Sequence, residues 1–170
     1  PVLATGCTMV LKPAEQTPLT ALRFSDLLDE AGVPPGVVNI VSGFGETAGA
    51  ALVEHPDVDK IAFTGSTEIG QLIASVAAPA LKRYTLELGG KNPSIVFADA
   101  DFDAALEGTA RSVFSNCGQV CLCSERVYVE RPMFDRFVAA LKERAEAMKI
   151  SGPDEAGVQM GPLISREHRD

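Results

Sequence analysis

The stretch Val37-Val38-Asn39-Ile40-Val41-Ser42-Gly43-Phe44-Gly45-Glu46-Thr47-Ala48-Gly49 decides the fold. Val37 to Val41 is short, apolar and rich in β-branched residues, so it reads as a strand. Gly43-Phe44-Gly45 turns the chain, and Thr47 to Val53 reads as a short helix. The same rhythm extends outward in both directions. Upstream, Thr8 to Lys12 is a strand bounded by Gly6 and Pro13. Thr17-Pro18 then offers an N-cap with proline at the first helical position. Leu19, Leu22, Leu27 and Ala31 keep roughly helical spacing until Gly32 ends the helix. Downstream, Lys60 to Thr64 is a strand, Gly65-Ser66 turns, and a helix runs to about Ala77. Tyr84 to Leu88 is a further strand, ended by Gly89-Gly90. Alternating strands and helices with short connections predict an α/β fold, a parallel sheet with helices on its faces.

The texture changes after Gly90. Ser94 to Phe97 reads as a strand, and Asp101 caps a helix from about Phe102 to Phe114. Arg126 to Glu130 is another strand, and Met133 to Met148 a long amphipathic helix. A domain boundary is therefore expected at Gly89-Gly90, giving segments 1–89 and 90–170.

Bulk properties exclude several classes. The chain has 170 residues, 46% hydrophobic and 22% charged, the profile of a globular protein. A net charge of −8 argues against a nucleic-acid partner, because phosphate binding needs clustered Lys and Arg. No apolar run approaches the ~20 residues that cross a bilayer, and no signal peptide is legible. Beginning at Pro1-Val2-Leu3 and stopping after His168-Arg169-Asp170, the chain reads as an internal piece of a longer protein. Of the four cysteines, Cys117, Cys121 and Cys123 crowd together, which suits reduced cytosolic thiols better than a disulfide framework.

Three strand ends carry candidate cofactor chemistry. Gly43 to Gly49 follows a strand and opens a helix, the context for dinucleotide binding. Its G-x-G-x-x-x-G spacing is one residue longer than the Rossmann fingerprint, so a plain tight turn is an equal alternative. Gly65-Ser66-Thr67-Glu68-Ile69-Gly70 places Ser66 at a helix N-terminus, where free N–H groups attract phosphate; the plain alternative is a serine N-cap. Lys12-Pro13-Ala14-Glu15 leaves its strand at the same edge. A carboxylate there can accept from ribose hydroxyls, although Lys and Glu at strand ends are most often solvated.

Two residues carry candidate catalysis. Cys121 follows a helix end and a turn, with another short helical stretch expected. A thiol near a helix N-terminus tends toward thiolate, which attacks carbonyl carbon. Most lone cysteines are instead buried small hydrophobes. Zinc on Cys117, Cys121 and Cys123 is disfavoured, because no C-x-x-C pair exists and His55 and His168 lie far off in sequence. Glu87 stands in an otherwise apolar strand. If buried, its pKa should rise as a general base requires; an edge glutamate facing water is the other reading.

Taken together, the motifs resemble the aldehyde dehydrogenase superfamily. They are Lys12-Pro13-Ala14-Glu15-Gln16-Thr17-Pro18, Phe63-Thr64-Gly65-Ser66-Thr67, Thr85-Leu86-Glu87-Leu88-Gly89-Gly90-Lys91, Gly118-Gln119-Val120-Cys121 and Gly161-Pro162-Leu163. The resemblance covers essentially the whole chain. It implies the later part of a Rossmann-like cofactor domain followed by the start of an α/β catalytic domain. It implies that Cys121 is the nucleophile and Glu87 the base that activates the deacylating water. Lys12 and Glu15 would hold the adenine ribose, with Glu15 favouring NAD over NADP. Ser66 would contact pyrophosphate, Gly65 and Gly70 would allow close approach, Gly45 would lie beside the adenine, and Leu88 would join the cofactor contacts. The implied reaction oxidises an aldehyde to an acid through a thiohemiacetal and a thioester on Cys121.

The resemblance further implies a soluble cytoplasmic homo-oligomer, dimer or tetramer, acting on a small aldehyde. An upstream asparagine of the oxyanion hole and a downstream ribose-binding glutamate would fall outside the chain, so the piece alone is expected to be inactive. Gly118 to Val129 is similar to the branch acting on 2-hydroxymuconic and 2-aminomuconic semialdehydes. Betaine-aldehyde-type and CoA-acylating enzymes are the enzymatic alternatives, and a structural protein on the same scaffold the non-enzymatic one.

Overall fold

A computed structural model describes residues 1–169. The chain divides into two compact units, Pro1–Glu87 and Leu88–Asp170.

In the first unit, strand β1 (Met9–Leu11) pairs in parallel with β2 (Val38–Ile40), in the register Met9↔Val38 and Leu11↔Ile40. Helix α1 (Leu19–Glu30) is the crossover between them. Parallel neighbours need such a connection, because a tight turn cannot reverse the chain twice. Pro18 occupies the N-cap position, one residue earlier in the helix frame than expected. At the other end Gly32 adopts φ 74° while Val33 N–H donates to Leu28 O (3.0 Å), a stop that a residue with a Cβ resists.

Gly45–Gly49 forms one π-helical turn that runs into α2 (Ala50–Glu54). The extra residue in the glycine spacing is absorbed there: Gly49 N–H reaches back five residues to Phe44 O (3.2 Å). Strand β3 (Lys60–Gly65) pairs with β4 (Arg83–Leu88), and α3 (Thr67–Ala77) connects them. Gly70, Ile73 and Ala77 are the buried residues of α3, a stripe at helical spacing. Among the described residues the strands of this unit form two separate pairs, β1–β2 and β3–β4, within the expected α/β class.

The second unit is another crossover. β5 (Asn92–Val96) and β6 (Ser124–Val129) are parallel, joined through α4 (Phe102–Phe114), and α5 (Arg131–Glu146) follows. Asp101 Oδ1 caps α4 by accepting from Ala104 N–H (2.8 Å), as the sequence predicts. Val96, Leu106 and Phe137 form its core, with Phe102 edge-on to Phe137 at 5.9 Å. Complete burial of Phe137 contributes roughly 1.5–3 kcal/mol. Among the described residues no helix is long and apolar enough to cross a membrane.

Candidate active site

In the first unit, Lys12, Glu15 and Gly45 meet where the sequence places them, past the ends of β1 and β2. The Lys12 ammonium donates to Pro13 O (2.7 Å), Gly43 O (3.0 Å) and Glu15 Oε1 (3.2 Å). An ammonium has three hydrogens, so all its donors are in use. Glu15 Oε1 also accepts from Gly45 N–H (2.6 Å). Bonds from its own backbone N–H, the Lys12 side chain and the Gly45 N–H hold the Glu15 carboxyl below its ordinary range. A Cβ on Gly49 would make only ordinary contact with the Lys12 stem at 3.7 Å, whereas one on Gly43 would sit 2.7 Å from Ala48 Cβ, so the turn itself requires glycine at 43.

Ser66 is the N-cap of α3, its Oγ accepting from Ile69 N–H (3.3 Å). The plain reading of Ser66 therefore holds, whatever else the turn does. Glu68 lies in the same first turn, its pKa lowered by its own backbone N–H and by Ser66. Gly70 is buried in α3, while Gly65 is exposed at the end of β3. Glu87 and Leu88 end β4 on either side of the unit boundary. Glu87 is exposed, so of the two readings of this residue the structure gives the glutamate that faces water.

The second unit holds Cys121. No helix begins beside it, contrary to expectation. After α4 the chain makes a 3₁₀ turn (Ser115–Gly118) in which Asn116 (φ 49°) and Cys117 (φ 60°) are both left-handed. Such a pair costs roughly 1–2 kcal/mol per residue. It is held by Asn116 Nδ2 on Gln119 O (3.2 Å), Gln119 N–H on Asn116 O (3.0 Å) and Cys117 Sγ on Gly161 O (3.2 Å). Ile164 N–H braces Gln119 Oε1 from outside (3.2 Å). A second turn then spans Val120 to Cys123, closed by Cys123 N–H on Val120 O (2.9 Å). Cys121 is its first inner residue and is exposed. A helix dipole is therefore not what would activate this thiol.

The neighbouring thiols are engaged elsewhere. Cys123 is buried with Sγ on Ser115 O (3.5 Å), and Cys117 faces Gly161 O. Among the described residues Cys121 is the one of the three whose thiol and backbone N–H have no protein partner.

Residues 1–170 match the sequence model of the Aldehyde dehydrogenase family. The chain belongs to that family. It is 57% identical over 171 residues to 2-hydroxymuconic semialdehyde dehydrogenase of Pseudomonas putida, covering 100% of this chain and 35% of the relative. It is 54% identical to aldehyde dehydrogenase 1A1 of Mus musculus, covering 100% of this chain and 34% of that one. An NAD+ complex of aldehyde dehydrogenase from Bacillus cereus superposes with TM-score 0.95 at 49% identity, over 98% of this chain and 34% of that one. An NADP-dependent enzyme of E. coli superposes with TM-score 0.94 at 47% identity, over 97% and 34%. The chain thus spans about a third of the length of the aldehyde dehydrogenases it matches.

Sequence reasoning missed the residues that shape the Cys121 turn. Asn92, at the start of β5, donates from Nδ2 to the Cys121 carbonyl and to Cys123 O (3.3 Å). Gln119 and Gly161 brace the preceding turn. The one available signal was Asn116 and Gly118, residue types that tolerate positive φ and so mark an irregular turn, not a helix.

Proposed function

We propose that the protein carrying this chain oxidises an aldehyde to a carboxylic acid with NAD, using Cys121 as nucleophile and Glu87 as base. The observation that carries this reading is the selective exposure of Cys121. Among the described residues, Cys121 is the exposed one of the three clustered thiols and the one with no protein hydrogen-bond partner at its thiol or its N–H. Cys121 adds to the aldehyde carbon, and its own N–H donates to the oxygen as it gains charge. When bound, NAD accepts the hydride, leaving a thioester on Cys121. Glu87 takes a proton from the water that hydrolyses that thioester.

The cofactor reading rests on the hydrogen-bonded Lys12–Glu15–Gly45 cluster, with a carboxylate that can accept from ribose hydroxyls. Gly65, Ser66, Gly70 and Leu88 complete the proposed cofactor contacts. The substrate proposed is a semialdehyde of the 2-hydroxymuconic type, supported by the 57% identity to the Pseudomonas putida enzyme. The 54% identity to aldehyde dehydrogenase 1A1 favours testing simple aldehydes beside it. A soluble cytoplasmic homo-oligomer is proposed on the same likeness.

Rapid mixing of the full-length protein with NAD and aldehyde tests the chemistry. Cys121→Ala should give no NADH while still binding NAD, and Cys117→Ala and Cys123→Ala should keep most activity. Glu87→Gln should still release up to one equivalent of NADH and trap an acyl group on Cys121. Its steady-state rate should fall by on the order of 10² to 10⁴, the usual contribution of a general base. Substantial turnover in Cys121→Ala overturns the nucleophile; an unchanged rate in Glu87→Gln overturns the base.

A further inference from the structure

Two peptide planes meet at the Cys121 Cα. The first contains the Val120 carbonyl and the Cys121 N–H. Its orientation is fixed by Cys123 N–H, which donates to Val120 O at 2.9 Å. The second contains the Cys121 carbonyl and the Leu122 N–H. No backbone donor among the described residues reaches that carbonyl; the Asn92 side-chain amide does. Its two hydrogens serve two acceptors, the Cys121 carbonyl and Cys123 O (3.3 Å), so its donor capacity is spent on this turn.

Asn92 is well placed for the task. It pairs with Ser124 at the amino end of the β5–β6 ladder, at a register shift between Asn92 and Pro93. Pro93 has no N–H, so the next position of β5 cannot donate. Lys91 Nζ on Glu125 Oε2 (2.6 Å) and Arg126 Nη1 on Lys91 O (3.4 Å) tie the same strand end to the segment after the turn. Ser124 Oγ is in turn bonded to Ser112 Oγ of α4 (2.7 Å). The Asn92 backbone is therefore held on both sides, and its amide is aimed at the turn by a fixed strand.

We propose that Asn92 is a positioning residue: by holding the Cys121 and Cys123 carbonyls it fixes the plane after Cys121 and so aims the Cys121 N–H and thiol together. This rests on the reading of Cys121 as nucleophile. With the preceding plane fixed by the turn and the following plane by Asn92, both backbone torsions of Cys121 are determined. The N–H that meets the developing oxygen and the sulfur that attacks carbon then keep one mutual geometry. Removing the amide releases the following plane, so φ, the torsion that sets the N–H against the Cβ, is no longer held, and the geometry needed for acyl transfer is lost while the thiol stays exposed.

The test compares two reactions of one thiol in the full-length protein. Oxidation of aldehyde needs sulfur and N–H placed together; alkylation by iodoacetamide displaces iodide and builds no charged oxygen. Asn92→Ala should slow the NADH burst on the order of 10²-fold, as misplacement or loss of an oxyanion donor does. Its iodoacetamide rate at Cys121, its NAD affinity and its thermal midpoint should stay near wild type. Asn92→Ser, which keeps one donor, should restore part of the burst. A burst unchanged in Asn92→Ala overturns the proposal. So does a burst that falls in step with alkylation rate and thermal midpoint, since that marks general loss of structure. Wild-type protein that still oxidises aldehyde once Cys121 is fully alkylated overturns the nucleophile reading itself, a separate result from either.

Discussion

At the residue scale the proposed preference for NAD turns on Glu15. Its carboxylate is paired with Lys12, which has no donor left for a further anion. The pair presents no net positive charge to a 2′-phosphate, and the carboxylate repels one. The Glu15 side chain is a third exposed, so solvent and salt screen that repulsion. Glu15→Gln should therefore lower the NAD-to-NADP ratio of kcat/KM by on the order of tenfold. A wild-type preference for NADP, or a ratio unmoved by the substitution, would remove Glu15 from this role. The lowered Glu15 pKa carries a sign as well: its contribution to stability is present above the ordinary carboxylate value and is lost as pH falls through the lowered one. Lys12, Glu15 and Gly45 were legible in the sequence because charged residues and glycines just past strand ends are local signals. Asn92 was not, because its acceptors are backbone carbonyls 29 and 31 residues away, and a carbonyl has no sequence signature.

At the scale of elements, caps were readable and turn conformations were not. Ser66, Asp101 and Gly32 end or start helices where local chemistry says they should. The segment after α4 was expected to contain a helical stretch near Cys121. It holds two left-handed residues and a closed turn instead, because bonds to Gly161 and Ile164, far along the chain, outweigh local propensity. The π turn at Gly45–Gly49 is a similar case: only its spacing hinted at it. It also gives a test. A methyl at Gly43 would lie 2.7 Å from Ala48 Cβ, which is part of the π turn and has no flexible side chain to swing away. Gly43→Ala should destabilise the full-length protein by roughly 1–3 kcal/mol, the range for overpacking, and weaken NAD binding. Asp101→Ala removes a helix cap remote in sequence from that turn, costs about 1 kcal/mol, and should leave NAD affinity unchanged. Urea melts and NAD titrations of both variants separate the cases. Equal NAD affinity in the two would show that the π turn does not shape the cofactor site.

At the scale of the whole molecule, the two units expose more surface than their mass predicts. A compact protein of 17.9 kDa exposes roughly 8,000 Å², and two independent halves roughly 9,700 Å² together. This chain exposes 12264 Å². The excess is apolar in part: Leu81, Leu122 and Leu19 are 90%, 80% and 78% exposed, and Ile95, Phe97 and Tyr128 are more than half exposed. Among the described residues few side chains, chiefly Ile73, Val96, Leu106 and Phe137, are buried. Burial at about 25 cal/mol per Å² is what offsets chain entropy, and here much of it is forgone. The matched aldehyde dehydrogenases are about three times as long, which leaves chain to cover such faces. Residues 1–170 expressed alone should therefore bind a hydrophobic dye such as ANS, self-associate in size-exclusion chromatography, and fail to oxidise aldehydes. The full-length protein should leave the dye dark and elute as one discrete species. The relevant comparison is dye fluorescence and elution volume for both proteins at equal molarity. A dye-silent, monomeric 170-residue chain with one sharp urea transition would show that these apolar faces need no cover, and that the two units carry enough core to stand without the rest.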